Sequence, residues 1–185
     1  RLELVMGMEA DRMTNLVLTE EDVRTERLVI LEERRQRTDN NPAAILSEHV
    51  SAALYINHPY RVPVIGWEHE IKGLDRDSIL SFYRQRYAPN NAILVVSGDI
   101  TADRLRPLAE KYYGVIPVGA PVARSRAKEP PQKSARRVVH RDKRVRQPSW
   151  RRTFVAPGLL WGDNQHSYPL EVLADIVGSG ASSRL

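Results

Sequence analysis

The sequence predicts an α+β fold, in which a mixed β-sheet packs against helices. Segments with apolar residues at helical spacing are interrupted by short continuous apolar runs of the kind found in buried strands. Residues 120–134 contain three prolines and few large apolar side chains, a composition typical of a linker. We therefore predict a first domain over residues 1–119, a linker over 120–134, and the beginning of a second domain over 135–185.

The composition agrees with a folded chain and excludes several classes of protein. Of its 185 residues 42% are apolar, which is enough for a core, and 28% are charged, which is ordinary. The absence of cysteine excludes disulfide bonds and thiolate zinc sites. No run of 18 apolar residues is present, so the sequence predicts no membrane-spanning helix.

The spacing of apolar residues predicts four helices in the first half of the chain. They cover residues 1–17, residues from 20 to just before 40, residues 43–55 and residues 75–87. Thr19 with Asp22 suits the N-cap of the second helix, and Asp75 suits that of the fourth. The fourth helix is expected to bury Ile79, Leu80, Phe82 and Tyr83. Prolines 59 and 63 exclude regular helix between the third and fourth helices, and we expect residues 66–73 to continue that loop.

The second half of the chain supplies the predicted strands. Residues 92–97 (AILVVS) form a continuous apolar run that ends at Gly98, which indicates a buried strand. A helix capped by Thr101 should follow and stop at Gly114, with Pro107 inside it. Beyond the linker we predict strands over 136–145 and 149–156. A last helix over 167–177 has a proline in its first turn.

The candidate functional residues are two glutamates of the second helix. Glu26 and Glu33 are seven residues apart, nearly two helical turns, so both project from one face roughly 10 Å apart along the axis. Val29 and Ile30 lie between them and suggest a buried stripe, where carboxylates need a cation or other partner. The same spacing equally suits simple salt bridges to Arg27, Arg34 or Arg37 on a solvated face.

Four stretches in this order resemble one family, that of insulinase, pitrilysin and mitochondrial processing peptidase. Residues 26–33 (ERLVILEE) resemble the block that supplies the third zinc ligand in these enzymes, the inverzincins, which carry an H-x-x-E-H motif. Residues 58–66 resemble the family's HPY…P…G loop. Residues 87–99 resemble its YxPxNxxLvvxGD segment. Residues 178–185 (GSGASSRL) resemble a glycine-rich element of the second, homologous domain.

The resemblance implies a zinc endopeptidase that encloses peptides between two homologous domains or subunits. Glu33 matches the zinc-ligating glutamate, and Glu26 matches a neighbouring acidic residue that supports the site. Zinc with three protein ligands keeps a position for water and lowers the pKa of that water toward neutrality. The two histidines and the catalytic glutamate of H-x-x-E-H have no match here, and only 32 residues precede Glu33. We therefore expect an internal piece of the enzyme, the second half of the peptidase domain and the start of the next, inactive alone.

The five histidines do not replace the missing ligands. They are His49, His58, His69, His140 and His166. None forms an H-x-x-E-H, H-E-x-x-H or H-x-H pattern, and in Glu68-His69-Glu70 adjacent helical side chains would point apart. We expect His58 to hold its own loop through a hydrogen bond instead of binding zinc.

Two alternatives to the enzyme follow from the sequence. A family member that has lost zinc ligands would act as a partner subunit or scaffold. Alternatively, residues 121–152 contain twelve Lys or Arg against two acidic residues, a charge of +10 that leaves −5 for the remainder, and such asymmetry can mark nucleic-acid binding. We favour a solvated linker and strand edge for this segment and expect no nucleic-acid partner. The compartment is weakly constrained; for a bacterial chain we favour the periplasm.

Overall fold

The computed structural model describes residues 1–125, 127–160, 162–178 and 183–184. Within them the regular structure is almost entirely helical. The helices are α1 (Leu2–Asn15), α2 (Glu20–Arg34), α3 (Pro42–Leu54), α4 (Glu68–Gly73), α5 (Arg76–Arg86), α6 (Ala102–Tyr112) and α7 (Ser167–Val177). A π-helical segment, Arg35–Asp39, continues α2, and 3-10 turns cover Pro59–Arg61, Pro89–Asn91 and Asn164–His166.

Two of the predicted helix starts are confirmed by their capping bonds, whereas Thr101 precedes α6 without a side-chain capping bond. The Thr19 hydroxyl accepts the backbone N–H of Asp22 at 3.1 Å, and the Asp22 carboxylate accepts the backbone N–H of Thr19 at 2.8 Å. Asp75 and Ser78 form the same reciprocal pair at the start of α5. Because these bonds satisfy N–H groups that a helix leaves without partners, short-range sequence is enough to place both helix starts.

The core is small and forms where α2 packs against α4 and where α1 packs against α6. Its buried apolar residues are Met6, Ala10, Val23, Ile71, Leu80 and Ala88. Side-chain bonds to backbone carbonyls join the helices around it: the Tyr83 hydroxyl donates to Arg12 at 2.8 Å, and the Arg27 guanidinium donates to Leu74 at 2.7 Å. The helix that carries both candidate residues, α2, is therefore fixed by polar contacts as well as by apolar burial.

Two local predictions in this region are wrong. Residues 66–73 are not loop throughout, since Glu68–Gly73 form α4, and Ile71 of that helix is 3% exposed. In α5, Leu80 is buried as expected but Phe82 is 59% exposed. The short helix was hidden because its single buried apolar residue gives no periodic pattern over so few residues.

The predicted mixed sheet is absent from the described part of the chain, where 53% of residues are helical and about 1% are in strand. Residues 92–97 form no regular structure, and their Ile93 and Val95 side chains are 91% and 83% exposed. Residues 136–145 and 149–156 likewise form no ladder, and Phe154 is 75% exposed. A strand requires a hydrogen-bonded neighbour, and no described residue pairs with these segments; an apolar run predicts burial but not a partner.

The second half of the predicted linker is bound to the end of α3. The Glu129 carboxylate accepts three consecutive backbone N–H groups, those of residues 56, 57 and 58, at 2.8–2.9 Å. The Gln132 amide donates to the carbonyl of Leu54 at 2.8 Å, and the Arg136 guanidinium donates to the carbonyl of Ala53. We call residues 128–136 the strap. Its cationic and amide donors satisfy carbonyls that the helix end leaves free.

Beyond the strap the chain makes one charged turn before α7. The carboxylate of Asp142 accepts the backbone N–H of Arg144 at 2.8 Å and its guanidinium at 2.6 Å, and these bonds hold the pKa of Asp142 well below its ordinary range. The Arg144 guanidinium also donates to the carbonyl of Asn40 at 2.9 Å, which ties this turn to the residue after the π-helical segment. The predicted helix over 167–177 is confirmed. Most of the glycine-rich element 178–185 lies outside the described residues.

Candidate functional site

Both candidate glutamates lie on α2, but their surroundings differ. Glu26 is exposed, whereas the Glu33 side chain, in the last turn of the helix, is 42% exposed. The expected buried stripe between them is not covered by the described residues, since Val29 is 55% exposed and Ile30 is half-buried. The face that carries the carboxylates is therefore open, and Val23 and Arg34 are the α2 side chains that are buried.

The partner of Glu33 is an exposed arginine. A carboxylate oxygen of Glu33 lies 3.0 Å from Nη2 of Arg37, whose side chain is 76% exposed. Ion pairs with this exposure contribute about 0–1 kcal/mol, so a metal ion can displace Arg37 at little cost. A carboxylate oxygen is also among the donors that zinc accepts. Glu33 therefore fits the role of one zinc ligand.

The remaining ligands of a zinc site do not come from the described part of the chain. No group of three or more His, Cys, Asp or Glu side chains within it is arranged to hold a metal ion. His49, His69 and His166 are exposed, and the imidazole of His140 lies 3.8 Å from Asp142, in the charged turn. Glu33 can contribute to a metal site only together with donors from elsewhere.

Next to Glu33, a buried arginine joins three parts of the fold. The side chain of Arg34 is 7% exposed, and its guanidinium donates to both carboxylate oxygens of Glu48, on α3, at 2.8 and 2.9 Å. Its Nη1 also donates to the carbonyl of Gly66 at 2.9 Å. The two-point pairing with Glu48 raises the pKa of Arg34, so its charge is permanent. We call these three residues the Arg34 clamp.

A change of helix type follows the clamp directly. The α-helical pattern ends at Arg34, and Arg35–Asp39 form a π-helix, a form that occurs mostly as single turns and often at functional sites. The π-helical segment carries Arg37, the partner of Glu33, and Asp39, whose carboxylate lies 3.6 Å from Nε of Arg34. Glu33, the candidate zinc ligand, therefore lies next to the point where the α-helix becomes a π-helix, and it is adjacent in sequence to the clamped Arg34.

The 58–66 loop, which resembles the family's HPY element, is held by a hydrogen bond within the loop and by bonds to the strap. Nδ1 of His58 accepts the backbone N–H of Tyr60 at 3.2 Å, which confirms the expected structural role of this histidine. The rings of Tyr55, His58 and Tyr60 form a cluster with centroid distances of 4.4–5.9 Å. Burial raises the pKa of the Glu129 carboxyl, but its three backbone N–H bonds outweigh burial and the net pKa is lowered. The carboxylate is therefore charged at neutral pH.

The basic segment is partly engaged in structural bonds. Arg136 caps the carbonyls at the end of α3, and Arg144 binds Asp142 and the carbonyl of Asn40. An open depression of about 640 Å³ is lined by Arg137, Val139 and Arg141, which alternate along the extended chain. This arrangement is a solvated surface and supplies no recognition helix or row of aromatic side chains for nucleic acid.

Sequence reasoning missed the Arg34 clamp and the strap. Arg34 stands in a run of charged residues, EERRQR, and no local signal distinguishes the one arginine that is buried. Glu129 offered a weak signal, since it is the one acidic residue between positions 121 and 141 of a strongly basic stretch. An isolated acidic residue among cations and prolines is a candidate to accept hydrogen bonds from backbone N–H groups elsewhere in the chain.

Comparison with known proteins gives matches over the whole chain. The family model "Peptidase M16 inactive domain" matches residues 73–185, so Glu26 and Glu33 precede the matched segment. An uncharacterized zinc protease of Mycobacterium leprae is 32% identical over 190 residues, covering 100% of this chain and 41% of that protein. A zinc protease of Helicobacter pylori is 31% identical over 189 residues, with the same coverage.

The solved structures agree with these matches. The crystal structure of a protease from Helicobacter pylori superposes with a TM-score of 0.61 at 32% identity, over 70% of this chain and 32% of that one. The chain thus spans about two fifths of the length of the curated relatives that it matches. None of the helices in the described residues is both long and apolar enough to cross a membrane.

Proposed function

The chain belongs to the peptidase M16 family, and on this basis we propose that it is part of a zinc-dependent metalloendopeptidase to which Glu33 supplies the third zinc ligand. The observation that carries the proposal is the state of Glu33: a partly exposed carboxylate whose partner is the exposed Arg37. Relatives that align along the whole chain are named zinc proteases, which supports this activity in the intact protein. Two histidines from outside these 185 residues complete the proposed ligand set.

In this proposal each glutamate has a defined task. Zinc, when bound, activates a water molecule for attack on a peptide bond. Glu33 contributes one anionic oxygen to the metal and gives up its ion pair with Arg37. Glu26, nearly two turns earlier on α2, adds negative charge near the site as a supporting residue. The substrate class is peptides or small proteins, and a second homologous domain or subunit closes the chamber around them.

Replacing Glu33 in the intact protein tests the assignment. Glu33→Gln removes the anionic ligand with little change in shape. We expect zinc affinity, measured by chelator competition, to fall by more than about 100-fold, because loss of groups that only support a ligand already costs about 10–100-fold. Peptide hydrolysis should fall with it.

The neighbouring glutamate is a matched control. Glu32 lies on the same turn of α2 and pairs with the exposed Arg35 at 2.7 Å. Glu32→Gln should keep the zinc affinity and the rate of hydrolysis of the unaltered protein. Glu26→Gln should have an intermediate effect. Unchanged zinc binding in Glu33→Gln would rule out the proposed role.

A second candidate function is a non-catalytic partner subunit or scaffold. The observation that favours it is the family description of residues 73–185 as an inactive domain. Metal analysis of the intact protein separates the two candidates. Stoichiometric zinc with peptide hydrolysis supports the enzyme, whereas a folded intact protein without either supports the partner subunit.

A further inference from the structure

We propose that Arg34 is a positioning residue for Glu33: the Arg34 clamp holds the last turn of α2 so that the neighbouring carboxylate points at the metal. The inference rests on the proposed zinc role of Glu33. Arg34 itself touches neither metal nor substrate in this proposal. It acts through the backbone that it shares with Glu33.

The first support is the geometry of the clamp. The planar guanidinium meets the Glu48 carboxylate in two parallel bonds of 2.8 and 2.9 Å, a pairing that fixes direction as well as distance. A third bond, also 2.9 Å, joins it to the carbonyl of Gly66. The end of α2 is therefore held from two directions, by a helix and by the turn that closes the 58–66 loop.

The second support is that Glu33 lacks comparable restraint of its own. Its side chain is 42% exposed, and its partner Arg37 is 76% exposed. Such a pair contributes little to fixing a side chain. The direction of the Glu33 carboxylate is thus set chiefly by the position of its helical turn, and that turn is the one that Arg34 holds.

The third support is the π-helical junction. The backbone N–H of Arg35 already divides between the carbonyls of Leu31 and Glu32, and the π-helix begins at this residue. The hydrogen-bond ladder changes register one residue after Arg34, so the clamp lies where the α-helix becomes a π-helix, a feature found frequently at functional sites.

The alternative is an ion pair that serves folding alone. Removing one partner of a buried pair destabilises a protein because the other charge is left without compensation. A purely structural role would lower the melting temperature and the folded fraction. It would leave the zinc affinity and kcat of the folded molecules unchanged, and this difference separates the two roles.

The experiment uses the intact protein and four variants. Arg34→Met and Glu48→Gln break the clamp from its two sides, Arg34→Lys keeps the charge but loses the two-point pairing, and Arg35→Met is the control. Arg35 is the adjacent arginine, is exposed, and pairs with Glu32. Zinc dissociation constants are measured by chelator competition well below each melting temperature, together with kcat and KM for a peptide substrate.

We expect Arg34→Met and Glu48→Gln to weaken zinc binding by about tenfold or more, the low end of the effect of lost supporting groups. The value of kcat should fall more than KM changes, Arg34→Lys should recover part of the loss, and Arg35→Met should match the unaltered protein. Folded Arg34→Met or Glu48→Gln protein with unaltered zinc affinity and kcat would overturn the inference. If Arg34→Met does not fold, the zinc affinity and kcat of Glu48→Gln and Arg34→Lys decide whether the clamp positions Glu33.

Glu33→Gln, measured in parallel, separates this inference from the proposed function. Loss of zinc in Glu33→Gln with normal zinc binding in both clamp variants refutes the role of Arg34 alone. Normal zinc binding in Glu33→Gln refutes the zinc role of Glu33, whatever the clamp variants show.

Discussion

The carboxylate of Glu129 accepts the backbone N–H of His58 at 2.8 Å, across 71 residues of chain. The same carboxylate binds the backbone nitrogens of the two preceding residues, and Glu129 is 7% exposed. A segment that composition describes as a linker is therefore anchored, over its second half, to the end of α3. The first half, residues 120–127, has no comparable anchor among its described residues.

Replacing Glu129 should release the strap. In Glu129→Gln one carboxylate oxygen becomes an NH2 group, which faces backbone N–H donors and cannot accept from them. We expect the amide hydrogens of residues 56–58 to exchange faster with solvent, measured by hydrogen exchange. Glu110→Gln, an exposed glutamate on α6, is the control and should leave these amides unchanged. Equal protection in the two variants would show that the carboxylate does not hold the strap.

The strap should also respond to acid in a defined direction. The pKa of Glu129 lies below its ordinary value of 4.5 because three backbone N–H bonds outweigh the effect of burial. A lowered pKa in the folded state means that the contribution to stability is present above about pH 4.5 and is lost as the pH falls through the lowered value. The amide proton shifts of residues 56–58, followed by NMR, should titrate below pH 4.5. A titration above pH 4.5 would contradict its assignment to Glu129. In Glu129→Gln the titration of these amide shifts should disappear.

The isolated chain of 185 residues should not hold stoichiometric zinc. Glu33 offers one carboxylate, and no described cluster of three metal-binding side chains surrounds it. A single ligand leaves the ion mostly hydrated and weakly bound. Metal analysis after dialysis against zinc-containing buffer checks this expectation. One zinc per chain with two or more ligands from these residues would contradict it.

A side chain added at Gly66 should destabilise the turn that this residue forms. Its φ of +90° lies in the region that costs residues with a Cβ about 1–2 kcal/mol, and its carbonyl receives the Arg34 bond. We expect Gly66→Ala to lower the free energy of unfolding by about 1 kcal/mol or more in a urea titration. Gly73→Ala, at the end of α4, is the control, because an added Cβ there meets open space. It should be neutral or slightly stabilising.

The six longer helices could be predicted because their signals are local, and so could the caps at Thr19 and Asp75 and the two candidate glutamates. The bonds between Thr19 and Asp22 span three residues, and the spacing of Glu26 and Glu33 places both on one helix whatever that helix packs against. The family resemblance is also carried by contiguous blocks of sequence. The relationship to zinc proteases therefore did not depend on knowing the tertiary structure.

The mixed sheet and the buried stripe are the predictions that the structure corrects. An apolar run such as residues 92–97 expresses a preference for burial, but the neighbour that would make it a strand is a separate piece of chain. The stripe at Val29 is predicted to be buried, yet no described element covers it. In both cases the local pattern indicates a preference for burial, but it does not identify the neighbour that would provide it.

By itself, the sequence determined where the six longer helices begin, which carboxylates share α2, and to which family the chain belongs, because all three depend on residues close together in the chain. Only the tertiary structure decided that Arg34 is the buried arginine of its run and that Glu129 binds the end of α3. The physical reason is distance along the chain: Arg34 meets Gly66 across 32 residues and Glu129 meets His58 across 71. Such partners are selected by packing, which no local spacing records.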